Sequence, residues 1–444
     1  MADAAFSGRQ VAGSYRGLRG WLDTVERLGE LKRVSGAHWD VEMGAVTHML
    51  TEKSGGTAPA ILFDDVPGYA KGYRTLYGQL SSVKRIALTL GLPLQYQRKV
   101  DIVQRYHART QDLRPLPPRY VNDGPIFENV IEGDAVDVLK FPVPRHHERD
   151  KARFVGTADC VVTKDPDSGW YNLGAYRSQV YDGKTVGCQI TEGKHGRIHR
   201  DKYFARGEPM KVVILCGQDP LLFMLSSSPL PEVSEYDIAG GLRGEPIDVV
   251  RGPYTGFPIP ADCEIAIEGE TVAGETRSEG PFGEWMGYYS DDTQERPFVR
   301  VNTILHRNDP ILTCAPQHKP VDETASPGRR RSGARSKPAA FPTCSGYGIT
   351  KPGRRRVSLQ FKSASAIPAM RAKCCTSLAP ARAAPMPANG PWLSTTISTP
   401  AISTRCCGRC ARASIPRSTS IWCKKPGRRS AIRSICRAIS TIAS

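Results

Sequence analysis

The stretch Glu275-Thr-Arg-Ser-Glu279-Gly-Pro-Phe-Gly-Glu284-Trp-Met-Gly-Tyr-Tyr289 sets two carboxylates five residues apart, around Gly280, Pro281 and Gly283. Five residues is off the three- or four-residue spacing of one helical face, and the glycines and proline argue against a helix. Both acids are therefore expected on a loop stiffened by Pro281. Phe282, Trp285, Tyr288 and Tyr289 surround them. Carboxyls desolvated among aromatics rise toward the range useful for proton transfer. Spacing alone equally fits a polar surface loop with its aromatics packed beneath, so the rest of the chain decides.

On both sides of this stretch, from about residue 124, short strands alternate with turn residues. Strands are expected at 135–143, 158–164, 171–181, 185–191, 210–217, 262–270 and 297–306. Asp165-Pro-Asp-Ser-Gly169 and Asp182-Gly183 fit hairpin turns, and a helix is expected near 232–242. Upstream, Leu18, Trp21, Leu22, Val25, Leu28 and Leu31 recur at helical spacing and predict a helix over 17–33. Residues 58–66 read as a strand ending at Pro67-Gly68, and 82–91 and 95–106 as helices. Leu113-Arg-Pro-Leu-Pro-Pro-Arg-Tyr120 is a connector, because its prolines cannot join regular ladders. The expected fold class is α+β: an α/β segment over 1–115, then a barrel-like domain over 116–324.

The 444 residues carry a formal net charge of +17. Residues 325–444 hold 23 Lys and Arg, no Asp, Glu or His, and 8 of the 13 cysteines. The first 324 residues hold 38 basic and 44 acidic side chains, an ordinary, mildly acidic globular composition. The positive charge is thus not a nucleic-acid signature spread along the chain. Cys160, Cys188, Cys216, Cys263 and Cys314 are widely separated, which predicts buried thiols in a reducing, cytoplasmic setting rather than a disulfide frame. The N-terminus lacks the apolar core of a signal peptide, and no run approaches the 18 apolar residues of a membrane span.

After Thr324, Arg, Ser, Ala and Pro dominate and no period persists, so residues 325–444 are expected to be non-native or disordered. Cys407-x-x-Cys410 is at most half a zinc site. A basic tail can serve as a nucleic-acid arm. The favoured reading is the wrong frame of GC-rich DNA. With a one-base offset and suitable codons, 345–353 becomes x-Gly-Val-Trp-Asp-His-Glu-Ala-Gly. At the same offset 395–400 becomes Asp-Asp-Asp-Ile-Asp-Pro, and 408–416 becomes Trp-Ala-Met-Cys-Thr-Arg-Phe-Asp-Pro. A one-base slip near 324–330 is expected, leaving an inactive or unfolded product as one alternative and a basic-tailed nucleic-acid-binding protein as another.

Trp170-Tyr-Asn172-Leu-Gly-Ala-Tyr-Arg177 reads as a strand. Regular alternation would point Asn172 and Arg177 to opposite faces unless Gly174 bends the chain. Gly193-Lys194-His195-Gly196-Arg197 reads as a basic loop, and Ser234-Glu235-Tyr236 puts an acid at the start of a helix. Asn172, His195 and Glu235 offer a carbonyl oxygen, an imidazole and a carboxylate, which suit Mn²⁺ or Mg²⁺ with a phosphate better than a closed zinc site. Taken singly they equally fit a turn-capping Asn, a surface His and a helix-end Glu.

Asn172-x-x-x-x-Arg177, Lys194-His195, Ser234-Glu235-Tyr236, Glu279-Gly-Pro-Phe-Gly-Glu284 and Pro316-x-x-Lys319-Pro-x-Asp322-Glu323 occur in this order. Together they resemble the UbiD-type decarboxylases, which use prenylated flavin mononucleotide, over about residues 15–324. The shifted tail resembles that family's C-terminal domain. The resemblance implies a split-barrel flavin-binding domain at 116–324. It implies non-oxidative, reversible decarboxylation of an aromatic or α,β-unsaturated acid through a covalent adduct with prenylated FMN, as in aromatic acid metabolism or ubiquinone biosynthesis. Asn172, His195 and Glu235 would hold Mn²⁺ (or Mg²⁺) against the cofactor phosphate, with K⁺ nearby. Ala175, Tyr176, Arg177, Lys194 and His195 would line the flavin. Glu284 would donate the proton, Arg177 orient the substrate carboxylate, and Glu279 hold Arg177. A flavin prenyltransferase would supply the cofactor, and homo-oligomers would be expected of the family's third domain.

Overall fold

The computed structural model describes residues 15–54, 57–96, 98–284, 287–290 and 293–318. Trp285, Lys319, and the whole segment expected to be non-native lie outside the described residues.

The middle of the chain forms an antiparallel sheet whose central strands are buried on both sides. In Met210–Cys216, Met210, Val212, Ile214 and Cys216 enter one core with Val161, Ile265, Ile267 and Ile304. Val213 and Leu215 enter a second core with Cys160, Val162, Ala266 and Leu305. Successive side chains of a strand point to opposite faces, so a strand with a core on each side reads as a continuous apolar run.

The sheet has ten strands among the described residues. Its main path runs Arg153–Gly156, Ser178–Asp182, Thr185–Gly187, Gln294–His306, Ile265–Thr271, Met210–Cys216, Cys160–Lys164, Tyr171–Gly174. Two short links, 157–159 and 175–177, each join strands from opposite ends of that path. Four Cα steps reach at most about 14 Å. The sheet must therefore curl until its two ends face each other across a narrow seam, giving the half-barrel of an α+β fold. Ser178 Oγ in one end reaches Asp159 Oδ2 of the other link at 3.5 Å.

A second sheet orders Leu31–Ser35, Ala60–Asp64, Arg74–Tyr77 and Ile311–Cys314. The helix Gly17–Arg27 covers one face through Leu18, Trp21, Leu22 and Val25, which pack with Ala60, Leu62, Leu76 and Ile311. Ile61, Phe63, Tyr77 and Leu312 on the other face join the first barrel core. Ile311–Cys314 thus returns from the barrel to pair with Arg74–Tyr77 in parallel. Beside it, the fully buried Glu264 carboxylate accepts from Arg19 Nε at 2.8 Å and Nη2 at 2.9 Å, Arg307 Nη1 at 3.3 Å and the Ile311 amide at 3.2 Å.

Several expectations need correction. The helix predicted over 17–33 ends at Arg27, and Leu31 opens a strand. Leu28 and Leu31 still pack on the same core, so their apolar spacing survives a change of element. The strand expected at 135–143 is a pair of 3₁₀ turns, Gly133–Ala135 and Val138–Lys140. Asp137 caps the second by accepting the Leu139 amide at 2.8 Å, while Val136, Val138, Phe141 and Val143 are buried without a ladder. The strand expected at 171–181 is two strands broken at 175–177. Glu42–Lys53 is a helix with no counterpart in the periodicity reading. The five cysteines before the tail are buried free thiols, and no helix among the described residues is long and apolar enough to cross a membrane.

Glu264→Ala leaves two guanidiniums without their carboxylate where the helix, barrel and second sheet meet. It is expected to destabilise the protein by about 3 kcal/mol, read as a lower urea midpoint at unchanged m-value; an unchanged midpoint would remove Glu264 from this role.

Candidate active site

The seam concentrates the polar chemistry. Arg177, on the 175–177 link, donates from Nε to Glu279 Oε1 at 2.7 Å and from Nη1 to Glu284 Oε1 at 3.1 Å. Its guanidinium lies 4.5 Å from the centre of the buried Phe282 ring. The sequence expectation placed both acids on a loop. Glu279 is instead the last residue of the strand Thr276–Glu279, paired with Gln294 of the long strand, and is buried. Glu284 does lie outside regular structure, in a turn closed by Glu284 N–H to Tyr288 O at 2.8 Å and Ser290 N–H to Phe282 O at 2.8 Å. Burial pushes the Glu284 carboxyl up; Arg177 pulls it down, and Glu279 and Asp150 push it up again, leaving it above the ordinary value. The indole of Trp285, expected to supply that desolvation, lies outside the described residues.

Five residues before Arg177, Asn172 ends its side chain 3.3 Å from His195 Nδ1. The buried Glu235 accepts the amide of Leu173, the next residue, at 2.7 Å. Tyr176 ties these groups together: its Oη accepts from Asn172 Nδ2 at 3.4 Å and from the Gly196 amide at 3.2 Å. Gly174 makes this possible, since a Cβ there would sit 2.1 Å from the Tyr176 ring carbon Cζ. The Ala175 amide donates to Ser226 O at 3.2 Å. His195 does not lie in a basic loop; it starts the helix His195–Ala205, with exposed Lys194 at the N-cap. Glu235 starts the helix Glu235–Arg243, where one was expected. The structure therefore makes two clusters, Arg177–Glu279–Glu284 and Asn172–His195 with Glu235, joined by one short stretch of backbone.

The donor set can be weighed against the expected metal. Burial drives the Glu235 carboxyl up to about 8, against the hydrogen bond from the Leu173 amide and with Asp237 adding to the rise. A cation beside it would relieve that burial cost. Among the described residues no group of three or more His, Cys, Asp and Glu side chains is placed to hold a metal ion. Asn172, His195 and Glu235 contain only two such residues, so an ion there needs further oxygens, as a phosphate and water would supply. Asn172 and His195 meet on those terms, while Glu235 is tied to them only through the Leu173 amide, and the acid acting on His195 is Glu232.

Sequence reasoning missed the groups behind the acid-bearing turn. Asp150 Oδ1 accepts the Gly283 amide at 2.8 Å, and Gln179 Oε1 accepts the Gly280 amide at 3.1 Å. Asp150 sat in the run His146-His-Glu-Arg-Asp150, whose density of charge reads as a solvated loop. Trp170 packs edge-on to His195 at 4.8 Å and to His199 at 5.2 Å, a packing role that its place beside a turn does not announce.

Family models match in two places. The UbiD model, 3-octaprenyl-4-hydroxybenzoate carboxy-lyase Rift-related domain, covers 119–320, and the N-terminal domain of the same carboxy-lyase covers 22–101. A pyrrole-2-carboxylic acid decarboxylase of Pseudomonas aeruginosa is 33% identical over 314 residues, 69% of this chain and 62% of that one. The chain therefore spans under two thirds of that relative's length. The closed form of the vanillic acid decarboxylase of Sedimentibacter hydroxybenzoicus superposes with a TM-score of 0.66 at 30% identity, covering 71% of this chain and 67% of that one. An evolved dimeric form of the UbiD-class enzyme HmfF from Pelotomaculum thermopropionicum, in complex with prFMN, gives 0.61 at 28% identity, covering 68% of each. With the half-barrel, the ordered motifs and these matches in agreement, the chain belongs to the UbiD family.

Proposed function

We propose that this chain carries the catalytic half of a prenylated-FMN-dependent decarboxylase acting on a small aromatic or α,β-unsaturated carboxylic acid. Carboxylation would be the same machine run backward. The observation that carries this reading is Arg177 forked between Glu279 and Glu284 at the seam. The names of its relatives, decarboxylases of aromatic acids, support the substrate class. The prFMN complex of a structural neighbour supports the cofactor.

Loss of CO₂ from an sp² carbon leaves an electron pair that no side chain can delocalise, and a prenylated flavin supplies that sink when bound. The chain's residues do the rest. Ala175, Tyr176, Arg177, Lys194 and His195 would line the flavin. Asn172, His195 and Glu235 would hold Mn²⁺ or Mg²⁺ against its phosphate, with K⁺ nearby. Arg177 presents a planar fork suited to a carboxylate, which a lysine lacks. Glu279 fixes that fork from below. Glu284, whose carboxyl burial lifts above its ordinary value against the pull of Arg177, would return the proton to carbon. The reading extends to a flavin prenyltransferase as cofactor supplier, to a cytoplasmic setting, and to a division near residue 115. Residues 325–444 would be the out-of-frame remnant of a C-terminal domain that supports homo-oligomers and completes the pocket.

Four outcomes test this. Co-expressed with a flavin prenyltransferase, Glu284→Gln should retain flavin of the prenylated mass while CO₂ release falls by about 10²–10⁴-fold; an equally active variant removes Glu284 from the role. In wild type, activity should decline on the alkaline side as Glu284 loses its proton. Mn²⁺ with FMN should raise the melting temperature of the chain, by up to about 2.7 kcal/mol of stabilisation at a hundred times Kd, and Glu235→Gln should abolish the shift. Restoring the frame after residue 324 should raise turnover; equal turnover by both chains counts against the remnant reading.

A further inference from the structure

We infer that Asp150 is a positioning residue for Glu284: its carboxylate fastens the Gly283 amide and sets a fixed negative charge behind the turn. The inference rests on the reading of Glu284 as proton donor, and its first test does not require turnover.

The segment 147–151 lies along the acid-bearing turn and bonds it at both ends. Lys151 N–H donates to Pro281 O at 3.3 Å, and the Arg149 amide donates to Tyr289 Oη at 3.2 Å. Between them Asp150, 2% exposed, takes the Gly283 amide at 2.8 Å on Oδ1. Its Oδ2 takes the His147 amide at 2.9 Å and lies 3.3 Å from His147 Nδ1. The His147 ring meets Tyr289 edge-on, and the Arg149 guanidinium lies over the same ring. The fit is close: a Cβ on Gly283 would stand 2.4 Å from His147 Nδ1. Gly283 is bonded directly to Glu284, so whatever fixes its peptide aims the Glu284 side chain.

The segment is itself anchored. Arg145 ion-pairs with Asp40 at 2.5 Å and donates to Glu148 O at 2.7 Å, and the backbones of Trp39, Val41 and Arg145 exchange hydrogen bonds. The acid-bearing turn is thereby held from the N-terminal segment, not only from the barrel.

The charge matters as well as the bond. Burial works against an ionised Asp150, but hydrogen bonds from His147 and the Gly283 amide outweigh it and hold its carboxyl below the usual range. It stays an anion. The charged groups acting on Glu284 are Arg177 from the 175–177 link, Glu279 from its strand and Asp150 from this segment; the imidazoles facing Asp150 are His147 and the buried His146, which burial holds down to about 3. An anion held behind Glu284 disfavours a second negative charge there.

The test uses the full chain labelled with ¹³C at the glutamate carboxyls, with the Glu284 signal identified by its loss in Glu284→Gln. Asp150→Asn keeps an acceptor for the Gly283 amide and removes the charge. It should lower the Glu284 titration midpoint by about half a pH unit or more, and in loaded enzyme move the alkaline limb of the kcat profile down by the same amount. An unchanged midpoint in a folded Asp150→Asn chain overturns the inference. Should that variant fail to fold, wild-type hydrogen exchange decides: a strongly protected Gly283 amide supports the hook, and exchange at the open-chain rate overturns it. If Glu284→Gln retains full CO₂ release while the midpoint does move, the proton-donor reading fails and the positioning inference survives as a statement about the turn.

Discussion

Curling one sheet until its ends nearly touch creates a problem at the seam, and Arg177 is the answer to it. The link 175–177 has left the ladder at one end and has not yet joined it at the other. Its backbone is satisfied singly, the Ala175 amide by Ser226 O at 3.2 Å and Arg177 O by the Gln189 amide at 2.9 Å, and its side chains reach beyond the link. Arg177 does so by bonding Glu279 at the end of one strand and Glu284 in the turn beyond it. The Phe282 face packs beneath the guanidinium and completes the fit. The same short link carries Tyr176, whose hydroxyl binds the first turn of the His195–Ala205 helix and the Asn172 side chain. Both candidate clusters thus depend on three residues of irregular backbone.

The positions of other elements follow from keeping that seam narrow. Cores on both faces of the central strands make the curled sheet stiff, since neither face can yield without losing packing. Glu264 locks the N-terminal helix, the long strand and the returning Ile311–Cys314 strand at one end. Arg145 and Asp40 lock the N-terminal segment to the 147–151 run on the opposite side of the acid-bearing turn. The chain's first hundred residues thus buttress the site without supplying its Arg177, Glu279 or Glu284.

What could be read in the sequence was whatever a local pattern expresses. Val212–Cys216 is an unbroken apolar run because both its faces are buried, and Asp165 to Gly169 turns because its residues favour turning. Gly174 marked a place where the strand could bend, but that the strand ends there follows from the seam, a long-range property of strand order. The His195 helix was hidden by Gly193 and Gly196, which read as loop punctuation. Gly196 is there because a Cβ would meet the Tyr176 ring at 2.8 Å. Of the site, the residue types and their order were legible, but the contacts were not. Nothing in the spacing of Arg177 and Glu279 says that 102 residues of chain return them to 2.7 Å. Asp150 was invisible for a related reason: its task is set by a backbone amide 133 residues away, and an amide leaves no mark on composition.

The charge count of the assembled site explains why it suits proton return. One guanidinium touches two carboxylates, Glu279 and Glu284, and a third, Asp150, acts on Glu284 from behind the turn. Arg177 can neutralise one acid fully, and it sits closer to Glu279, at 2.7 Å against 3.1 Å for Glu284. Glu279 is also the more deeply buried, with its side chain 4% exposed against 26%. An ion pair in a low-dielectric place is stronger than the same pair near water. The guanidinium charge is therefore drawn mainly to Glu279, and Asp150 has its own hydrogen bonds from His147 and Gly283. Glu284 is left as the least compensated of the three, and burial raises its carboxyl above the ordinary value, with Glu279 and Asp150 adding to the rise against Arg177. It is also the most accessible of the three, its side chain 26% exposed.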